Sequence, residues 1–298
     1  MFNEGQLYAP VVTRTDGEVV VELGHDHPGV GDPDYRARRN TIASLALEWS
    51  PGQPVPVATY TDEEHEVWRV VSRELERKHE RLACRAARDG AATLHLPADH
   101  IPQLTDVTAA LAPLTGFTYY PAAGLVGLRE FYGSLADRVF WSTQYIRHHS
   151  VPLYTPEPDV VHEVIGHAIT LAEPSYAELY VAAGEAARRV STPQALEFVS
   201  KVFWFSLEFG VVHEADGPKA YGAGILSSYG EIEEFVEADL RPLDIARMGV
   251  QTYDITHYQP ILFAADSWQQ VHDVVGGFFV EATDERIEAL LHRSAAAV

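Results

Sequence analysis

Apolar residues recur at helical spacing along most of this chain. After Thr61, the positions Val67, Val70, Val71 and Leu75 fall three or four apart, with Arg and Glu filling the positions between. That pattern predicts a long helix with one buried stripe and a solvated charged face. Thr61 with Glu64 forms a capping box at its head. Asp32-Pro33-Asp34 predicts the start of a helix over 35–49, closed by Pro51-Gly52. Further helices are predicted over 103–111, 128–140, 176–190 and 194–208. Strand-like runs are short: 19–21 after an Asp16-Gly17 hairpin turn, then 117–120, 211–213 and 277–281. The expectation is a mainly α protein with small β elements, forming a single catalytic-type domain over 1–298. Residues 1–24 read as an amino-terminal extension and 294–298 as a loose tail.

Composition narrows the function classes. The 298 residues are 46% hydrophobic and carry a formal charge of −21, which argues against nucleic acid or an anionic membrane as partner. No apolar run reaches the roughly 18 residues that a membrane span needs, and no signal peptide is apparent. The expected location is cytoplasmic. Cys84 is the only cysteine, so disulfide frameworks and cysteine-based zinc clusters are excluded. It reads as part of an amphipathic charged helix, without a role in thiol chemistry.

The chemistry concentrates in Thr155-Pro156-Glu157-Pro158-Asp159-Val160-Val161-His162-Glu163-Val164-Ile165-Gly166-His167. Two histidines four apart would share an α-helical face. These are five apart, which on an α-helix separates them by about 140° instead of about 40°. Both reach one metal only if the helix is distorted or ends nearby, and Gly166 lowers the cost of distortion. Two unrelated histidines on a buried helix remain the competing reading. A second segment, Phe203-Trp204-Phe205-Ser206-Leu207-Glu208-Phe209-Gly210, embeds one carboxylate in an aromatic run. Such a carboxylate is costly to bury unless paired or bound to a metal. Two histidines and one carboxylate form the facial set of non-haem Fe(II) sites.

With these residues the chain resembles the pterin-dependent aromatic amino acid hydroxylases, nearest to the catalytic domain of phenylalanine hydroxylases. The likeness extends over His27-Pro28-Gly29, Asp32-Pro33, Tyr35-Arg36-Ala37-Arg38-Arg39, Ile101-Pro102-Gln103-Leu104 and Thr115-Gly116-Phe117. It continues through Thr143-Gln144-Tyr145-Ile146-Arg147-His148, Tyr221-Gly222-Ala223-Gly224, Ser227-Ser228 and Gln259-Pro260. The resemblance implies His162, His167 and Glu208 as ligands of Fe(II), with a tetrahydropterin co-substrate and dioxygen. It implies Gly124, Leu125, Val126, Phe131 and Glu163 around the pterin, Glu163 being turned from the metal. It places Arg147 and Thr155 at the substrate carboxylate, and Pro158, Trp204, Phe209 and Ile255 around the ring. Ser227 is implied as the partner that orients His162 beside the substrate.

Two departures stand out. Ala168-Ile169 follow His167 where the family has an apolar residue and then proline, and Gly127-Leu128 replace a small polar pair. The bulky Trp204 wall favours phenylalanine over tryptophan, with hydroxylation to tyrosine the first expectation and meta-hydroxylation the alternative. From another class, a zinc hydrolase with Glu163 as base is disfavoured by the five-residue histidine spacing; a non-catalytic binding domain is disfavoured by the intact ligand set. His25-Asp26-His27 reads as a turn, and His148 and His149 as loop or supporting residues. Without a regulatory domain or a tetramerising helix, a monomer or weak dimer is expected.

Overall fold

The computed structural model describes residues 11–15, 18–124, 126–254 and 257–296. The architecture is mainly helical with small β elements, as the periodicity predicts. A hairpin, β1 (Val11–Thr15) with β2 (Glu18–Glu22), opens the chain, pairing Val12 with Val21; its Asp16-Gly17 turn lies outside the described residues. Helix α1 (Pro33–Glu48) is capped by Asp32, and α2 (Asp62–Leu82) by the Thr61–Glu64 box. Along α2 the buried residues include Val67, Trp68, Val71 and Leu75.

Cys84 does not sit within a helix. It occupies the break before α3 (Arg85–Leu94), where its Sγ accepts from the Ala87 amide. Burial pushes its thiol up to about 11, which explains its lack of nucleophilic character better than a charged helix does. Helix α4 (Leu104–Thr115) runs past its predicted end and stops at Gly116, whose φ of 80° suits glycine.

The helix predicted over 128–140 is shorter. α5 (Leu128–Leu135) ends before Arg138, which takes a left-handed φ of 57°. The chain then forms a strand parallel to the preceding one: β3 (Thr118–Pro121) pairs with β4 (Val139–Ser142). A short helix after Pro174 would have sufficed for the predicted 176–190; the observed α7 (Pro174–Arg189) begins at the proline, preceded by the three-residue α6 (Ile169–Leu171). α8 (Pro193–Phe203) follows.

Beyond it come β5 (Val211–Glu214), β6 (Gly217–Ala220), α9 (Ala223–Ser227), α10 (Glu231–Glu234), β7 (Asp239–Pro242), α11 (Ile245–Met248) and β8 (Ile261–Ala265). These strands form one sheet in the order β6-β5-β8-β7. The run 277–281 is not a strand. It is α13 (Gly277–Glu281), continuing a helix that starts at α12 (Trp268–Gln270), and it buries Phe278 and Phe279. Packing against α7 overrides the β preference of its aromatic residues. α14 (Asp284–Ala296) closes the described chain. No helix among the described residues is long and apolar enough to cross a membrane.

Among the described residues one π-helical segment, Val271–Gly276, joins α12 to α13, and two more carry the candidate donors. His162–Ala168 and Trp204–Glu208 are π-helical, the second marked by the Phe209 amide donating to the carbonyl five residues back. Both are buried in the main core.

Candidate active site

The π-turn resolves the spacing problem in the histidine motif. At about 4.4 residues per turn, five steps leave side chains only about 50° apart. His162 and His167 accordingly meet with their Nε2 atoms 3.0 Å apart. Gly166 contributes through packing as well as conformational freedom. A Cβ there would lie 2.7 Å from the Ala223 carbonyl oxygen and 3.3 Å from the Ser227 Cβ, so only glycine lets α9 approach. Gly222 serves the second π-segment in the same way, since a Cβ there would run into the Glu208 carbonyl oxygen. The Gly222-Ala223-Gly224 run is thus a packing device.

Each imidazole is fixed through its other nitrogen. Ser227 Oγ donates to the Gly224 carbonyl and stands 2.9 Å from His162 Nδ1, so it accepts that proton. Thr170 Oγ1 donates to the His167 carbonyl and lies 3.4 Å from the Tyr180 hydroxyl, which is 2.9 Å from His167 Nδ1. Tyr180 therefore donates to Thr170 and accepts from His167. Both Nδ1 atoms carry the protons, and both Nε2 lone pairs face one point. Burial, and then the neighbouring His167, push His162 down to about 4, which keeps its ring neutral.

Glu208 comes to the same point, with Oε1 3.1 Å from His167 Nε2 and Oε2 3.8 Å from His162 Nε2. Burial opposes its charge, but His167 and then His162 hold the carboxyl below the usual range. Neither carboxylate oxygen has a hydrogen-bond partner, although both are buried. Bonds of about 2.1 Å at right angles place neighbouring donors about 3.0 Å apart. Converging lone pairs, an unpartnered carboxylate and these separations fit a metal ion.

Glu163 is not turned fully aside. Its carboxylate belongs to a group with His162 and His167 whose donor atoms lie within 4.8 Å of one another. Thr143 holds it, donating to Oε1 from its hydroxyl at 3.0 Å and its amide at 3.3 Å. Burial pushes Glu163 up to about 7.

A cavity of about 240 Å³ opens over His162 and Glu208 and brings Arg147, Thr155, Pro158, Trp204, Phe209 and Ser227 together. Arg147 is already engaged: Asp159 accepts from its Nε and Nη2 at 2.9 Å each, and from its amide at 2.8 Å. Burial works against the Asp159 charge, and Arg147 more than offsets it, holding the carboxyl below its ordinary range. The Thr155 hydroxyl donates to the Glu157 carbonyl at 2.9 Å, closing a local turn. Trp204 stacks on Tyr253 at 4.2 Å and meets Phe209 at 4.6 Å.

Of the residues expected at the pterin, Gly124, Val126, Phe131 and Glu163 do not line this cavity. Phe131 is buried against Phe140, which in turn lies 4.5 Å from the His167 ring. Gly124 is buried and Val126 half-buried in the adjoining loop. Leu125 and Ile255 lie outside the described residues. Sequence reasoning did not single out Tyr180, Asp159 or Thr143. Asp159 and Thr143 stood inside quoted motifs, whereas Tyr180 gave no signal beyond its helical position.

The family model of biopterin-dependent aromatic amino acid hydroxylases matches residues 11–287. A phenylalanine 3-hydroxylase of Streptomyces coeruleorubidus is 49% identical over 89% of this chain and 95% of its own length. Rat phenylalanine-4-hydroxylase is 40% identical over 86% of this chain, which spans 58% of the rat protein. Among solved structures, Chromobacterium violaceum phenylalanine hydroxylase with bound iron(III) and 7,8-dihydrobiopterin matches with a TM-score of 0.72 and 26% identity, covering 80% of this chain and 90% of that one. On the histidine–carboxylate geometry and these likenesses together, the chain belongs to the biopterin-dependent aromatic amino acid hydroxylases.

Proposed function

We propose that the chain hydroxylates the ring of phenylalanine, with Fe(II) held by His162, His167 and Glu208 and with a tetrahydropterin and dioxygen as co-substrates. The observation that carries this reading is the convergence of two deprotonated Nε2 atoms and an unpartnered buried carboxylate at the floor of the cavity that Arg147 also lines. Three donors on one side of such an ion leave its other positions open. Iron and pterin together supply activation of dioxygen and the electrons that ring hydroxylation consumes.

The protein's own residues supply position. Asp159 occupies the Nε–Nη2 edge of Arg147, leaving the Nη1–Nη2 edge for the α-carboxylate of the amino acid. Thr155 shapes the loop beside it. Pro158, Trp204 and Phe209 form the wall for the ring, and the Trp204–Tyr253 stack makes that wall stiff. Ser227 orients His162 and does not need to touch the substrate. Gly124, Val126, Phe131 and Glu163 would hold the pterin.

A wall of this bulk admits one six-membered ring more readily than an indole, although discrimination by size alone is modest. For the ring position, greater identity to a 3-hydroxylase than to the rat 4-hydroxylase favours carbon 3. The test is incubation of iron-loaded protein with phenylalanine, tetrahydropterin and oxygen, and chromatography against meta- and para-tyrosine. Meta-tyrosine as main product is expected. Para-tyrosine would overturn the position alone, and a higher kcat/KM for tryptophan would overturn the substrate.

A further inference from the structure

A second group of metal-type donors lies next to the segment that carries Arg147. Asp32 caps α1 through Oδ1 alone, which accepts from the Asp34 amide at 2.9 Å and the Tyr35 amide at 3.0 Å. Its Oδ2 faces His148 Nε2 at 3.2 Å. His148 is buried, packed edge-on against Tyr35, and its Nδ1 is held by Ser150 Oγ at 2.7 Å. That hold aims Nε2 at Asp32. The His149 ring lies 4.3 Å from the His148 ring. One donor atom each from Asp32, His148 and His149 falls within 4.8 Å of the others. Glu63, in the first turn of α2, brings a carboxylate oxygen within 3.8 Å of His149 Nδ1.

We propose that Asp32, His148 and His149, with Glu63 at the rim, bind a divalent transition ion of the zinc class, separate from the iron site. Two imidazoles with carboxylates are the nitrogen–oxygen donor set such ions take. Tetrahedral bonds of about 2.0–2.1 Å set neighbouring donors about 3.3 Å apart, and the Asp32–His148 pair already stands at that separation. His148 Nδ1 also accepts from the Ser150 amide at 3.3 Å, so in the free chain the proton sits on Nε2; an ion displaces it, and Nδ1–H then donates to Ser150 Oγ. A plain hydrogen bond between His148 and Asp32 would need neither His149 nor Glu63. Sequence alone gives His148 and His149 as loop or supporting residues, because the other donors come from residues 32 and 63, far along the chain.

An ion here would tie the start of α1, the head of α2 and the loop after Arg147. Binding only to the folded chain, it raises Tm with its concentration. Iron-loaded protein dialysed against micromolar Zn²⁺ should hold one iron and one zinc per chain. His149→Ala changes an exposed position, and Asp32→Asn keeps a helix-capping side chain. Each should weaken zinc binding at least tenfold by equilibrium dialysis, leave iron content unchanged and abolish the zinc-dependent rise in Tm. The proposal is overturned if the wild-type chain takes up no zinc beyond its iron, or if either variant loses less than tenfold in zinc affinity.

Discussion

His162 and His167 bring their Nε2 atoms to 3.0 Å across a π-turn that an α-helix would have opened to opposite sides. Gly166 inside that turn touches the Ala223 backbone, so the ligand geometry and the seating of α9 depend on one missing side chain. Gly166→Ala should destabilise the fold by about 1–3 kcal/mol through overpacking. It should also loosen Ser227 from His162 and lower iron affinity. Denaturant titration and iron content after anaerobic reconstitution measure both effects, and a variant with wild-type values in each would show that the contact yields freely.

Alanine at His162, His167 or Glu208 should abolish stoichiometric iron binding. Glu163→Gln should retain iron and impair use of the pterin, since Thr143 holds this carboxylate beside the metal donors. Metal analysis of the four variants separates the roles. Full iron in His167→Ala would remove that residue from the ligand set, and loss of iron in Glu163→Gln would add Glu163 to it.

Arg147→Lys should raise the KM for the amino acid by roughly ten- to more than a hundredfold, the equivalent of losing a charged contact of about 1.5–3 kcal/mol. An ammonium cannot span both Asp159 and a substrate carboxylate as the planar guanidinium does. Asp159→Asn should raise the same KM, because it frees the guanidinium to rotate and leaves a buried charge without its partner. An unchanged KM in both variants would reject the arrangement.

Glu231, on the cavity wall, is pushed up to about 7 by burial, partly offset by the Gln259 amide it accepts from at 2.8 Å. Its folded-state pKa lies above the unfolded value, so the folded chain binds the extra proton between the two. The stability from this group is complete below the unfolded pKa, near 4.5, and falls as pH rises through about 7. The loss should be on the order of 2–3 kcal/mol. Glu231→Gln keeps an acceptor for Gln259 and should flatten that part of the profile. Unfolding titrations at pH 5 and pH 8 in both proteins give the difference, and parallel profiles would count against it.

Much of the site was legible in the sequence because it is carried by residue types in ordered motifs. The histidines, Glu208, Arg147 and Trp204 could be named without coordinates. What could not be read was how Arg147 is held, since Asp159 stands in the histidine motif without a role of its own there and occupies one edge of the guanidinium only in the fold. Tyr180 was invisible for a similar reason. A tyrosine on a buried helical face is ordinary, and only the turn of α7 against the histidine segment makes it the acceptor for His167. The strand expected at 277–281 failed because Phe278 and Phe279 carry a β preference in isolation but bury their rings from a helix when α7 is there to receive them.

The sequence by itself determined the helical class, the caps of α1 and α2 and the family, and it brought forward the residues proposed as metal donors, all of which follow from local patterns of side chains. Tertiary structure alone decided the geometry. A π-turn costs local hydrogen-bond quality, and no periodicity announces it; it persists because α9, Tyr180 and Glu208 close around the two histidines. The grouping of Asp32, Glu63, His148 and His149 belongs to the same category. Donors scattered over more than a hundred residues meet only where α1, α2 and the Arg147 loop pack together.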